Sequence, residues 1–167
     1  MKIPPLPPPD RFYLAAAEGW LGLGCAEEAA AEWEQIRPEF HQHAQVMEVR
    51  WQILAKLKRW ESAVETARQM MVQLPKNPFG AIHLAYSLHE LKKTQAAWEA
   101  LLPAAAKFPK HFLIAYNLAC YACQLGFMPE ALDWLAKAMR LAGKESILPM
   151  ALADPDLKPL WEQIRKL

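Results

Sequence analysis

The segment Gly126-Phe127-Met128-Pro129-Glu130-Ala131-Leu132-Asp133-Trp134-Leu135 decides the fold, because its pattern stands three more times upstream at one fixed interval. Ala131 is preceded in steps of 34 residues by Ala97, Ala63 and Ala29. Five positions before each Ala lie Gly126, Lys92, Lys58 and Gly24, which suit a turn. Four positions after lie Leu135, Leu101, Ala67 and Trp33, and seven after lie Ala138, Ala104, Met70 and Ile36, all apolar. Twelve before lie Ala119, Ala85, Trp51 and Ala17, small in three of four cases. Twelve after lie Gly143, Pro109, Pro75 and His41, mostly residues that stop helices.

Apolar spacings of four and seven are helical, and a repeat of this length holds two helices and a turn. Small residues at two fixed columns mark where the helices of one hairpin approach closely. Larger apolar residues fill the space between hairpins. Composition agrees. Ala (28) and Leu (23) dominate, whereas Val (4), Ile (7) and Thr (2) are scarce, which argues against sheets. The spacing predicts an all-α chain. Its segments are a Pro-rich lead at 1–9, four antiparallel helix hairpins over 10–143 (10–43, 44–77, 78–111, 112–143) and a C-terminal cap over 144–167. Asn77-Pro78 reads as an N-cap with Pro at the first helical position, and Asp10 is a candidate cap for the first helix. Pro103 falls inside a helix, where a kink or an early break is expected. Trp51 is large in a small column, so it either splays its hairpin or plugs a gap between repeats. Ile3 and Leu6 give the Pro-rich lead a means of packing on the first hairpin.

These columns resemble the tetratricopeptide repeat over about Asp10 to Gly143. The resemblance implies an α–α superhelix, a solenoid whose first helices line an inner face and second helices an outer one. It also implies that the segment Ala151 to Trp161, with its Asp154-Pro155-Asp156-Leu157 turn, closes the last repeat. Leu157, Leu160, Trp161 and Ile164 have the spacing to cover its apolar end. The function implied is binding another protein or peptide, as an adaptor, a scaffold or a co-chaperone-like module. The alternative is self-association through outer residues such as Trp60, Met71, Trp98 and Met139. A monomer in a bacterial cytoplasm is the expectation.

Helical spacing then gives the inner stripes. In the third repeat the stripe carries Phe79, Ile82, His83, Tyr86 and His89, and in the fourth Leu113, Tyr116, Asn117 and Cys120. These nine residues are the expected groove, because aromatic and apolar side chains on an open face are typical of binding hot spots. The second repeat offers the more polar Gln45, Glu48, Val49, Gln52 and Lys56. The Lys, Asn and Arg clamp with which some relatives grip a terminal carboxylate is absent: Leu14, Glu18, Val49, Phe79 and His83 stand there. An apolar anchor on the partner is the expectation.

Other chemistry has little to stand on. Lys+Arg is 19 and Asp+Glu 18, so no field draws the chain to nucleic acid. No apolar run is long enough for a membrane span, and the prolines before Asp10 exclude the helical core of a secretory leader. Ser (3), Thr (2) and Asp (4) are few, with no nucleophile–base pair or phosphate loop, so no enzyme and no cofactor are expected. Cys120 and Cys123 lie mid-helix without a second pair. They read as packing residues rather than a redox or metal site, and an odd count of three cysteines argues for reduced thiols.

Overall fold

The computed structural model describes residues 5–166. They form α-helices joined by short connections, and no strand occurs among them. The chain divides into two compact units, Met1–His83 and Leu84–Leu167. The first holds α1 (Asp10–Gly22), α2 (Ala26–Glu34), α3 (Ala44–Lys56), α4 (Trp60–Gln73) and the start of α5 (Phe79–Glu90). The second holds the rest of α5, then α6 (Thr94–Lys107), α7 (Phe112–Gln124), α8 (Met128–Ala142), α9 (Lys144–Ala153), a 3-10 segment (Pro155–Leu160) and α10 (Trp161–Ile164). The fold is an all-α solenoid, as the repeat predicts.

The repeat columns acquire physical roles. Ala29, Ala63, Ala97 and Ala131 are all fully buried, as are Ala17, Ala85 and Ala119. The turn column holds the left-handed residues: φ is 80° at Gly24, 55° at Lys58, 62° at Lys92 and 84° at Gly126. Each closes its helix in the same way. The N–H of the next residue returns to the carbonyl five residues back: Cys25 to Trp20 at 2.9 Å, Arg59 to Leu54 at 2.8 Å, Lys93 to Leu88 at 2.9 Å and Phe127 to Ala122 at 2.8 Å. This ending satisfies carbonyls that a helix C-terminus otherwise leaves open.

Two of the four turns therefore carry a lysine where glycine is free of strain. A left-handed L-residue costs roughly 1–2 kcal/mol. Lys58→Gly and Lys92→Gly are each expected to stabilise the fold by about 1 kcal/mol, once the added freedom of the unfolded chain is set against the relief. Gly24→Ala should do the reverse. A Cβ there meets nothing within 4 Å, so its cost is conformational alone. Chemical denaturation of the three variants checks the signs.

The first unit's core joins Leu6, Leu14, Ala17, Ala29, Ile36, Val46, Val49 and Ile53. Leu6 is buried, so the Pro-rich lead packs on its own first hairpin; Ile3 lies outside the described residues. Asp10 departs from its expected role. The cap position belongs to Pro9, and no side chain caps α1. The Asp10 carboxylate instead accepts the Arg37 backbone N–H at 2.8 Å and its guanidinium Nε and Nη2 at 2.9 and 2.6 Å, tying the start of α1 to the chain beyond α2. The hydrogen bond from Arg37 outweighs burial and holds this carboxyl below its usual range. Its contribution is therefore present above the ordinary Asp range and fades as pH falls through the lowered one.

Gly80 sits where α5 crosses the end of α4. A Cβ on it would stand 2.9 Å from the Met71 backbone nitrogen and 3.2 Å from the Met70 carbonyl carbon. Backbone cannot step aside as a side chain can. Gly→Ala inside a helix normally stabilises by up to about 1 kcal/mol. Here Gly80→Ala is expected to destabilise by about 1–3 kcal/mol through overpacking, read as a lower denaturation midpoint.

Pro103 does not break its helix: α6 continues to Lys107. Pro103 is exposed and so is Glu99, whose carbonyl loses a partner to the missing N–H and can turn to water instead. Trp51 reaches the following repeat. Its ring lies on the His83 imidazole with centroids 3.7 Å apart and planes 10° from parallel.

Candidate functional site

The α3 stripe expected to face inward borders a cavity in the first unit. Gln45, Glu48, Val49 and Gln52 follow at spacings of three and four on α3, so helical geometry places them on one face. Glu18 joins them from α1, and Asn77 and Phe79 from the entry to α5. Together with Ala44 they line a cavity of about 330 Å³. Asn77 fixes that entry: its Oδ1 accepts the Phe79 N–H at 2.9 Å, an N-cap bond to the second helical residue counted from Pro78. Phe79 is 37% exposed at the cavity wall.

Glu48 is held in place. His83 Nε2 lies 2.9 and 3.0 Å from its two carboxylate oxygens, and Gln52 Nε2 donates to Oε1 at 3.2 Å. His83 in turn stacks on Trp51, and the Phe79 ring lies 5.8 Å away centroid to centroid. Burial pushes the Glu48 carboxyl up, but the hydrogen bond and charge of His83 and the Gln52 amide outweigh it and hold it below its usual range. The cavity thus keeps an ionised, pre-oriented carboxylate.

The second unit's inner stripe is engaged by its own chain. The turn Asp154-Pro155-Asp156 lies against α7. Tyr116 Oη donates to Asp154 Oδ2 at 2.8 Å, and Cys120 Sγ lies 3.5 Å from the same oxygen. Gln124 Nε2 donates to the Asp156 carbonyl at 2.7 Å. His89 bridges Thr94 Oγ1 through Nδ1, at 3.0 Å, and Asp156 Oδ2 through Nε2, at 2.9 Å. Burial first, then the charge of Asp154, drives the Cys120 thiol well up, and burial with Asp156 raises Cys123. Neither is poised as a nucleophile. Burial and the carboxylates of Glu90, Asp156 and Asp154 also raise the Tyr86 phenol.

The nine residues expected from the sequence are thus distributed unevenly. Phe79 and His83 meet in the first unit, with Ile82 buried. In the second, Tyr116, Cys120 and His89 are buried and bonded to the C-terminal turn or its neighbours. Tyr86 is exposed, and Leu113 and Asn117 are half-buried. The cavity brings in Glu18, Gln45, Glu48 and Gln52, which a search for apolar hot spots passes over. Their common helical face was the available signal. Elsewhere in the first unit, a cavity of about 240 Å³ is lined by Trp33, Arg50 and Arg59 among others. On the outer helices Met71 is exposed, while Trp60, Trp98 and Met139 are half-buried. Among the described residues no group of three or more His, Cys, Asp or Glu could hold a metal ion, and no helix is long and apolar enough to cross a membrane.

The sequence matches no family model and no curated protein. The architecture does match solved structures. TTC0263, a thermophilic TPR protein of Thermus thermophilus, aligns with a TM-score of 0.71 and 16% identity, covering 95% of this chain and 100% of that one. A MamA protein aligns with a TM-score of 0.69 and 15% identity over 93% of this chain and 85% of its own. YrrB, described as a TPR protein with an unusual peptide-binding site, aligns with a TM-score of 0.61 and 14% identity over 93% of this chain and 91% of its own.

Proposed function

From a chain with the tetratricopeptide-repeat fold, we propose a non-catalytic interaction module that holds a segment of another polypeptide on the inner face of its first unit. One observation carries this reading: a cavity of about 330 Å³ has its walls from α1, α3 and the entry to α5, on the face that a repeat of this kind is expected to turn inward. Its volume is within the range of ligand sites. Gln45, Gln52 and Asn77 supply amides that can pair with an extended backbone, and Phe79 supplies an aromatic wall. The second unit's stripe supports this choice, since its own C-terminal turn already takes the hydrogen bonds of Tyr116, Gln124 and His89.

A binding role fits the thiols, which burial and carboxylates keep protonated. The three cysteines are free, which fits a reducing compartment such as the cytoplasm. The likeness of YrrB, whose description names a peptide-binding site, supports the ligand class.

The test is a plug. Gln45 and Gln52 are exposed, so Gln45→Trp and Gln52→Trp should fill the cavity without touching the core. Partner recovery from a lysate is expected to fall at least about tenfold, the equivalent of about 1.4 kcal/mol, with the melting temperature unchanged. Full recovery by both variants, correctly folded, would exclude this surface.

A further inference from the structure

We infer that the cavity of the first unit takes a cationic side chain, Arg or Lys, from an extended segment of the partner. This rests on the reading that this face is the binding surface, and it replaces the apolar anchor expected from sequence. The lining holds two carboxylates, Glu18 and Glu48, three amides, Gln45, Gln52 and Asn77, one aromatic ring, Phe79, and the aliphatic Ala44 and Val49, but no Lys or Arg. An apolar anchor would meet Phe79, Ala44 and Val49 but would strip water from the two carboxylates without replacing it, a cost that a cationic side chain avoids. A guanidinium or ammonium would meet charge-assisted acceptors and the Phe79 face together.

Glu48 is suited to the task because its position is already set. Two oxygens with about four acceptor sites receive His83 and Gln52 and still have room for another donor. A carboxylate fixed before binding loses little freedom when the ligand arrives. Its partner His83 is held by stacking on Trp51, so the carboxylate keeps its orientation. Glu18 faces the same space from α1, on a different helix, giving the site two acceptors from two directions. The chain's overall charge is near zero, so this selectivity is local.

The probe is a fluorescein-labelled, alanine-based peptide carrying two arginines. It is compared by anisotropy, on the full chain, with a citrulline twin of the same shape without charge and a leucine twin. The arginine peptide is expected to bind at least about tenfold more tightly than either twin. Its affinity should fall as salt is raised. Glu18→Gln should remove most of the preference. It is the primary variant because Glu48→Gln also disturbs His83. Equal binding of arginine and citrulline peptides, or tightest binding of the leucine twin, would overturn the cationic assignment; if Gln45→Trp still abolished that binding, the face itself would stand. Binding of no peptide, or arginine binding indifferent to Gln45→Trp, would overturn both.

Discussion

Leu157→Ala is expected to destabilise the protein by about 2–5 kcal/mol, the cost of removing a large side chain from a closed core. Leu157 is fully buried in the 3-10 segment after α9, beside the equally enclosed Leu160 and Ile164. Stacked hairpins leave an apolar surface at their last helix, and these three side chains have the spacing to cover it. The polar contacts of the same turn align it without replacing that burial. Asp154 accepts Tyr116 Oη at 2.8 Å and the Asp156 N–H at 3.0 Å. Trp161 Nε1 donates to the Ala151 carbonyl at 3.1 Å, closing the segment on itself. Because the cavity left by Leu157→Ala is enclosed, its walls can relax only in part. Thermal melting should show a drop on the order of 10 °C. A change of a degree or two would mean that the C-terminal segment rests on the fold without supporting it.

Pro103→Ala is expected to act in the opposite direction, raising stability by about 2 kcal/mol. Proline inside a regular helix costs about 3 kcal/mol through its missing N–H and its ring's clash with the preceding turn. Part of that is already recovered here, since Pro103 and Glu99 both face solvent and α6 runs on to Lys107. A further part is offset because proline restricts the unfolded chain, by about 0.4–1 kcal/mol. Alanine restores the bond to the Glu99 carbonyl and removes the clash. The midpoint in denaturant should rise with an unchanged slope. A fall instead would show that Pro103 makes a packing contact stronger than the helix defect it introduces.

The fold was legible because the repeat is a local device read four times. The column at Ala29, Ala63, Ala97 and Ala131 is buried without exception, and the column at Gly24, Lys58, Lys92 and Gly126 is left-handed without exception. Lysine at two of these positions hid the second fact: only period alignment shows that it does a glycine's work. Asp10 departs from the cap reading because an acidic residue before an apolar run has two uses, and only the folded chain brings Arg37 to it.

The site was less legible, for two physical reasons. The cap lies outside the 34-residue register, so no periodicity announces that Asp154 and Asp156 return to α7 and to His89. By helical spacing alone Tyr116 and Cys120 therefore read as an open surface. The second reason is chemical. Aromatic residues stand out in a sequence, whereas Gln45, Glu48 and Gln52 on a helix read as an ordinary wet face until the cavity beside them is seen.

The central claim, that the inner face of the first unit holds the partner, is tested most directly by site-specific photocrosslinking in the native lysate. A small aliphatic diazirine residue, no larger than the glutamine it replaces and so unlike the Gln45→Trp plug, is placed either at Gln45, on the cavity wall, or at Asp133, exposed on α8. One dominant adduct is expected from the Gln45 position, lost when Glu18→Gln is added, and none from the Asp133 position. The same adduct formed equally from both positions, or only from Asp133, would contradict the claim.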